Sequence, residues 1–144
     1  MTQEQKVLLL KDLCARLPYG VKIKLGDNPE VFDLEYRIRF AVMYGYSDKL
    51  EDVLGINYIK PYLFPLSSMT EEQKKEISKR YNYHNPYQLC VEITNHREGY
   101  WDDDNSCNLQ DYLWLEDWFN KNHFDYRGLI PIGAAIDATG LNIY

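Results

Sequence analysis

The segment VFDLEYRIRFAVMYGY, residues 31–46, has the clearest hydrophobic periodicity in the chain. Apolar side chains occupy every second position, namely Phe32, Leu34, Tyr36, Ile38, Phe40, Val42 and Tyr44. Charged side chains lie between them at Asp33, Glu35, Arg37 and Arg39. A period of two over this length predicts one long strand of an antiparallel sheet, with one face on the core and a bend near residues 41–45.

The residues before this segment predict a helix and then a short strand. We expect the short strand to pair with the long strand predicted at residues 31–46. Thr2 and Gln5 have the spacing of a capping box, and Pro18 disfavours helix at the residue before it. We therefore expect a helix from residue 3 to about Arg16. Its predicted apolar stripe consists of Val7, Leu10, Cys14 and Leu17, with Leu13 beside it. Residues 21–25 alternate between aliphatic and lysine side chains, which predicts a short strand with one solvated face.

The residues after it predict a mixed order of strands and helices. Residues 58–65 are apolar but contain two prolines, which favours an edge strand or an extended segment over a central strand. Thr70 and Gln73 form a second capping box, which predicts a surface helix to about Arg80 with Ile77 as its main apolar contact. Residues 89–93 alternate as a further strand, and residues 109–122 form the last long helix. The apolar stripe of that helix consists of Leu109, Tyr112, Leu113, Leu115, Trp118 and Phe119.

These elements predict one α+β domain spanning residues 1–144. We expect a small, mostly antiparallel sheet, with the first and last long helices packed on its apolar face. The length suits a single domain that buries its own core without disulfides.

Charge and hydropathy exclude two classes of partner. The net charge is −6, and the lysines and arginines are scattered, whereas duplex DNA binding depends on a clustered basic surface. No apolar run approaches 18 residues, so we expect no membrane span. The N-terminal residues lack the pattern of a secretory signal, and the three cysteines, an odd number at wide spacing, do not form a disulfide framework. Cys14 and Cys90 are predicted to be small core residues, and we expect a reducing cytoplasm as the compartment.

The acidic run at residues 102–108 resembles a calcium loop in part. Asp102, Asp104, Ser106 and Asn108 alternate as loop ligands do. A helix-loop-helix calcium site also needs glycine at its sixth position and glutamate at its twelfth, where this chain has Cys107 and Leu113. The spacing favours a solvated loop that places negative charge before a helix N-terminus.

Zinc and nucleophilic catalysis have similarly weak signals. The candidate zinc ligands are His84, Cys90, His96, Cys107 and His123. Structural zinc ligands come in close pairs, and the nearest of these residues have five residues between them. A Cys107–His123 nucleophile pair has no supporting motif, and the known phosphate-loop and hydrolase motifs do not occur. We therefore predict no metal, no cofactor and no enzymatic activity.

The last third of the chain carries all three tryptophans and the strongest candidate for a ligand site. Tyr126 and Arg127, joined by Tyr100 and Trp101, form a hypothetical platform that stacks on a base or binds a phosphate. The structural alternative is that Asp125 caps a short final helix through the amides of residues 127 and 128, with Phe124 and Tyr126 packed beneath. The sequence leaves both interpretations open.

Three strings resemble one group of proteins when taken together. They are LCARLPYGV at residues 13–21, IKPYLFPLSSMTEE at residues 59–72 and DWFNKNHFDYRGLIPIG at residues 117–133. They resemble small uncharacterised proteins of phages, prophages and mobile elements of gut Bacteroidales bacteria. The chain departs from that group at residues 31–46 and 81–95. The resemblance implies a cytoplasmic accessory protein that acts on the host, and it implies no site residues.

The predicted function is a non-catalytic protein that binds and sequesters or blocks a host component, such as a defence factor. The alternative is a binder of small nucleotides or single-stranded nucleic acid through the aromatic platform. Because the last helix is apolar around much of its surface and the long strand leaves an edge open, we also expect a homo-oligomer.

Overall fold

The computed structural model describes residues 1–44, 52, 55–81 and 109–144 of the chain. The helices in this part are α1 (Gln3–Arg16), α2 (Leu34–Met43), α3 (Glu71–Tyr81) and α4 (Leu109–Lys121). The strands are β1 (Lys22–Leu25), β2 (Phe32–Asp33), β3 (Ile59–Leu63) and β4 (Ile136–Asp137). The predicted α+β class is confirmed, whereas the strand predicted at residues 89–93 lies outside the described residues.

The four strands form one mixed sheet in the order β2-β1-β3-β4. β1 pairs antiparallel with β2 and with β3, while β3 pairs parallel with β4. The sheet is therefore mostly antiparallel, as predicted. Among the described residues, no helix has the length and apolar character needed to cross a membrane.

The prediction that β3 is an edge strand or an extended segment was wrong, because β3 lies between β1 and β4. Pro61, which prompted that prediction, is opposite Ile23 of β1. β4 pairs with β3 only at Tyr62 and Leu63, so at Pro61 the strand has a ladder neighbour on one side alone. A residue without an N–H is tolerated there for the same reason that it is tolerated at an edge.

The long strand predicted at residues 31–46 was also wrong. Within the described part of this segment, residues 31–44, only Phe32 and Asp33 form a strand, which does pair with β1, and α2 begins at Leu34. α2 buries Leu34 and Ala41 towards the core, a spacing of seven residues that lies on one helical face. The ion pair between Glu35 and Arg39 has the i,i+4 spacing that stabilises a helix. The apolar residues at even positions are thus divided between a buried and an exposed face of one helix.

α1 has the predicted bounds and cap but buries a different face. Thr2 and Gln5 form both hydrogen bonds of the capping box, and the helix ends at Arg16 before a short 3-10 turn that contains Pro18. Its buried residues are Leu9, Asp12, Leu13 and Arg16. Cys14, predicted to be a core residue, is exposed, and Val7 and Leu17 are exposed as well. The helix is rotated relative to the prediction because its buried face carries an Asp–Arg pair.

The described residues bury two apolar clusters. The sheet core joins α1, the sheet and the turn before β4, and consists of Leu9, Leu13, Val21, Ile23, Leu34, Ile56, Ile59, Leu63, Leu129, Ala134 and Ala135. The aromatic core joins α3, α4 and the turn after α4, and consists of Met69, Ile77, Leu115, Trp118, Phe119, Phe124 and Tyr126. The capping box predicted at Thr70 and Gln73 is present at the start of α3, and Ile77 is fully buried.

Candidate functional site

A buried group of charged side chains lies where α1, α4 and the turn after α4 meet. We call it the arginine–carboxylate cluster, and it consists of Asp12, Arg16, Glu116, Asn120 and Arg127. Asp12 and Arg16 are fully buried, and the Arg127 side chain is 7% exposed. Burying charges is costly unless they are paired and hydrogen-bonded, so the partners of each guanidinium decide what the cluster does.

Arg16 connects the two cores. Its Nε and Nη2 donate to the two oxygens of Asp12 at 2.8 and 3.0 Å, the paired geometry that suits guanidinium and carboxylate. Nη2 also donates to the carbonyl of Phe124 at 2.6 Å, and Nη1 donates to that of Phe119 at 3.4 Å. A side chain from α1 thereby binds backbone groups of the aromatic core, more than 100 residues away in the chain.

Arg127 extends the same network towards the surface. Its Nη1 donates to Asp12 at 3.0 Å and to Asn120 at 3.3 Å, and its Nη2 donates to Glu116 at 2.8 Å. Its guanidinium carbon lies 4.2 Å from the centre of the Tyr126 ring, within the range of a cation–π contact. The positive charges of the two guanidinium groups equal the negative charges of the two carboxylates. The cluster therefore has no excess positive charge that would attract an anion.

Tyr126 is a buried member of the aromatic core and a neighbour of this cluster. Its ring stacks on Phe119 with centroids 5.2 Å apart, and its hydroxyl donates to Glu116 at 3.0 Å. Burial is the main cause that raises the pKa of its phenol well above the usual value. Because 3% of Tyr126 is exposed, the ring has no open face for a base in this conformation.

The described residues thus include only two of the four residues of the predicted stacking platform. Tyr126 and Arg127 lie together, in contact with α1 and α4, whereas Tyr100 and Trp101 lie outside the described residues. The acidic loop at residues 102–108 and the candidate ligands His84, Cys90, His96 and Cys107 lie outside them as well. The four-residue platform stays a prediction. Within the described residues, no three histidine, cysteine or acidic side chains converge as metal ligands.

Asp125 organises the turn after α4 in a way that the sequence indicated only in outline. Its two carboxylate oxygens accept hydrogen bonds from the amides of Leu129 and Ile130, both at 2.8 Å. The prediction had placed these bonds at residues 127 and 128 and expected a final helix, which the structure does not contain at that point. Phe124 and Tyr126 are buried as expected. Burial raises the pKa of the Asp125 carboxyl, and the two backbone hydrogen bonds oppose that rise.

His123 lies in the turn two residues after the end of α4, in a conformation that is uncommon for its residue type. Its φ of 58° is left-handed, and its ring stacks on Tyr144 with centroids 3.9 Å apart. Nδ1 is buried and has no hydrogen-bond partner among the described residues. Tyr144 in turn donates to the carbonyl of Tyr62 and accepts from the amide of Lys22. Burial, reinforced by the charges of Arg16 and Lys22, lowers the pKa of His123 to about 4.

We expect His123 to make the fold less stable in mild acid. Its folded-state pKa of about 4 lies below the ordinary 6.5, so its contribution is present above pH 6.5 and is lost as the pH falls towards 4. After allowance for partial exposure, the loss is about 1–2 kcal/mol. Urea unfolding at pH 7 and pH 4.5 measures it, with His123→Asn as the comparison, because asparagine tolerates a positive φ. An equal pH dependence in both proteins would contradict this assignment.

A third feature is the exposed side of α2, which we call the aromatic face. It consists of Tyr36, Phe40, Met43 and Tyr44. The exposed fractions are 59% for Tyr36, 60% for Tyr44 and 79% for Met43. The Tyr36 and Phe40 rings lie 6.4 Å apart and the Phe40 and Tyr44 rings 4.5 Å apart, so successive turns of the helix present a ladder of aromatic rings.

The sequence analysis missed both the cluster and the aromatic face. Asp12 and Arg16 are spaced i,i+4, which on a helix usually indicates an exposed ion pair. Glu35 and Arg39 have the same spacing and are exposed, so spacing alone does not separate the two cases. The sequence did contain one signal for the buried pair. The helical face that carries Leu9 and Leu13 also carries Asp12 and Arg16, so a helix that buries the leucines buries the ion pair as well.

These features define a small α+β domain with two cores joined by a buried ion-pair network and with one exposed aromatic helix. Comparison with protein-family models, curated proteins and solved structures gives no match.

Proposed function

We propose that this chain is a non-catalytic binding protein that blocks or sequesters a host protein through the aromatic face of α2. The observation that carries the proposal is the exposure of Tyr36 and Met43 on one side of a helix whose opposite side is buried in the core. Large apolar side chains grouped on one surface are typical of an interaction site. Aromatic residues are also enriched among those that dominate binding energy.

The spacing of the ladder indicates the kind of partner. Tyr36, Phe40 and Met43 are placed at i, i+4 and i+7, the spacing by which an amphipathic helix inserts its apolar side into a groove. Glu35 and Arg39 form an exposed ion pair on the same helix, as at a polar rim. We therefore expect a host protein with an apolar groove.

The resemblance to accessory proteins of Bacteroidales phages and mobile elements supports a partner from the host. The chain departs from that group at residues 31–46, which include all of α2. A segment that differs from the group, in a chain that otherwise resembles it, suits a surface specialised for one partner.

The experiment places a photo-crosslinking side chain at Tyr36 and, as a control, at Tyr58, which is 71% exposed and lies outside α2. We expect one host protein to crosslink from position 36 and not from position 58. In a binding assay with that purified protein, Tyr36→Ala should weaken affinity about 30-fold or more, as for a central interface aromatic. Tyr58→Ala should leave the affinity unchanged.

Two outcomes would contradict the proposal. Equal crosslinking from both positions would mean that the aromatic face is not selective. Light scattering that shows a dimer, dispersed by Tyr36→Ala, would assign the face to a second copy of the chain.

A further inference from the structure

One side of the sheet faces away from the sheet core and carries lysines. Ile23 of β1 and Ile59 of β3 belong to the sheet core, together with residues of α1. Because successive residues of a strand alternate between the two sides of a sheet, Lys24 and Lys60 lie on the opposite side. The two lysines are direct partners across the antiparallel pair. Lys60 is exposed and Lys24 is half-buried.

An exposed aromatic ring lies next to the two lysines. The amide of Gly26 donates to the carbonyl of Tyr58 at 2.7 Å, which continues the pairing of β1 with β3 by one residue. Tyr58 comes two positions before Lys60 and therefore lies on the same side of the sheet. Its partner across the pair is a glycine, which has no side chain to cover the ring, and Tyr58 is 71% exposed. We call Tyr58, Lys60 and Lys24 together the lysine face.

The space around this face is open. Apart from atoms of its own chain neighbours, a methyl group placed on Gly26 would have no atom within 4 Å. A ligand can therefore approach the ring of Tyr58 from the side of β1 without displacing a side chain.

The two lysines of the face repel each other. Directly opposed side chains in a sheet start about 5 Å apart, and like charges at that position destabilise the pairing. Lys22, the preceding lysine on the same side, is neutralised by an ion pair with Asp33. Among the described residues, neither Lys24 nor Lys60 has such a partner. The face thus has two uncompensated positive charges on a chain whose net charge is −6, and a bound anion would relieve their repulsion.

From these observations we propose that the lysine face binds single-stranded nucleic acid. A base stacks on the ring of Tyr58, and the phosphates on either side of that base contact Lys24 and Lys60. Residues two apart on a strand are separated by about 6.6 Å, so one nucleotide unit reaches both the ring and the lysines. Every base has a face that stacks on an aromatic ring, so the binding is independent of sequence.

The shape and chemistry of the face favour a nucleic-acid strand over two other anions. Sites for small molecules such as a free nucleotide are concave and enclose most of the ligand, whereas Tyr58 and Lys60 are exposed on a sheet surface. Sheet surfaces with aromatic rings are a recurrent platform for single strands, whose unpaired bases are free to stack. An acidic protein segment would neutralise the lysines but would have no base to stack on Tyr58.

A short oligothymidylate is the probe, and an abasic oligonucleotide with the same number of phosphates is the matched ligand control. Titration of the full chain at low salt should shift the backbone amide NMR signals of Lys24, Gly26 and Lys60. We expect a dissociation constant of about 0.1 mM, at the weak end of sequence-independent binding. The abasic strand should bind at least about fivefold more weakly, because it has no base to stack. NMR is the readout because the described tryptophans, Trp114 and Trp118, lie at the aromatic core.

Variants separate the stacking contact from the phosphate contacts. Tyr58→Ala should weaken oligothymidylate binding about fivefold or more, whereas Tyr58→Phe keeps the ring and should retain the affinity. Each phosphate contact of a single strand contributes about −0.7 to the slope of log affinity against log salt. Two contacts give about −1.4, and Lys24→Gln or Lys60→Gln should reduce this slope to about −0.7. Lys79→Gln on α3 removes the same charge away from the face and should leave the slope unchanged.

Lys60→Gln should melt no lower than the wild-type protein, because it removes the repulsion with Lys24. Its weaker binding would then not result from unfolding.

Three results would overturn the proposal. Equal binding of the abasic strand would assign the face to anions in general, such as an acidic protein segment. Unchanged affinity in Tyr58→Ala would remove the stacking contact. Equal salt slopes for Lys60→Gln and Lys79→Gln would remove the phosphate contact.

Discussion

Asp12→Ala is expected to destabilise the fold by about 3–5 kcal/mol, because it removes one partner of a buried ion pair and leaves the other charge in place. Asp12 binds Arg16 through both carboxylate oxygens and binds Arg127 through one of them. Arg127 retains Glu116 in the variant, whereas Arg16 retains hydrogen bonds to the backbone carbonyls of Phe119 and Phe124 and a cation–π contact with Tyr126 at 5.6 Å. Because Arg16 is fully buried, its charge is left without a carboxylate partner and without access to water.

The measurement is urea unfolding of the variant beside two comparisons. Glu35→Ala breaks an ion pair of the same i,i+4 spacing on the surface of α2 and should cost less than about 1 kcal/mol. The double variant Asp12→Leu/Arg16→Met replaces the buried pair by apolar side chains and should recover part of the loss. A cost for Asp12→Ala no larger than that for Glu35→Ala would show that the pair is solvated, against the burial described above.

Local signals in the sequence predicted much of the fold. The capping boxes at Thr2 and Thr70 fixed the starts of two helices, because they depend on side chains three residues apart and on nothing distant. The alternation at residues 21–25 likewise predicted β1. These signals, with the end of α1 before Pro18, placed two helices and β1 correctly. The antiparallel sheet was inferred mainly from residues 31–46, where the described part contains only the two-residue strand β2.

The errors occurred where tertiary contacts override a local pattern. Residues 32–44 satisfy a period of two, but Leu34 and Ala41 are buried on one helical face and Ile38 packs partly against the core. The exposed apolar residues of this segment are Tyr36, Phe40, Val42, Met43 and Tyr44. The central position of β3 depends on β4, a strand of two residues near the end of the chain that no local signal predicted. A short parallel partner of this kind is specified by contacts between distant residues.

The candidate sites also combine features that the local sequence predicted with features that depend on distant residues. Grouping Tyr126 with Arg127 from the sequence was correct in that their side chains are in contact, at 4.2 Å. Their acidic partners were not predictable as a group, since Asp12, which Arg127 binds, lies more than 100 residues from Glu116, which both Tyr126 and Arg127 bind.

Tyr126→Ala is expected to cost about 3–5 kcal/mol of stability, the range for removal of a large aromatic side chain from a core. The ring packs on Phe119, and its loss leaves a cavity beneath Arg127. Tyr126→Phe retains the ring and removes only the hydrogen bond to Glu116, so it should cost about 1 kcal/mol. Urea unfolding of both variants separates packing from hydrogen bonding.

The same variants decide between the core role of Tyr126 and the nucleotide platform. For a core residue, mononucleotides and single-stranded oligonucleotides should leave the tryptophan fluorescence of the wild-type protein unchanged, and Tyr126→Ala should lose stability alone. A stacking platform would give the opposite pattern, in which Tyr126→Ala keeps wild-type stability and loses about 1–3 kcal/mol of affinity per stacked base. We expect the first pattern, because Phe119, Arg127 and Glu116 already occupy the contacts of Tyr126 that a base and its phosphate would need.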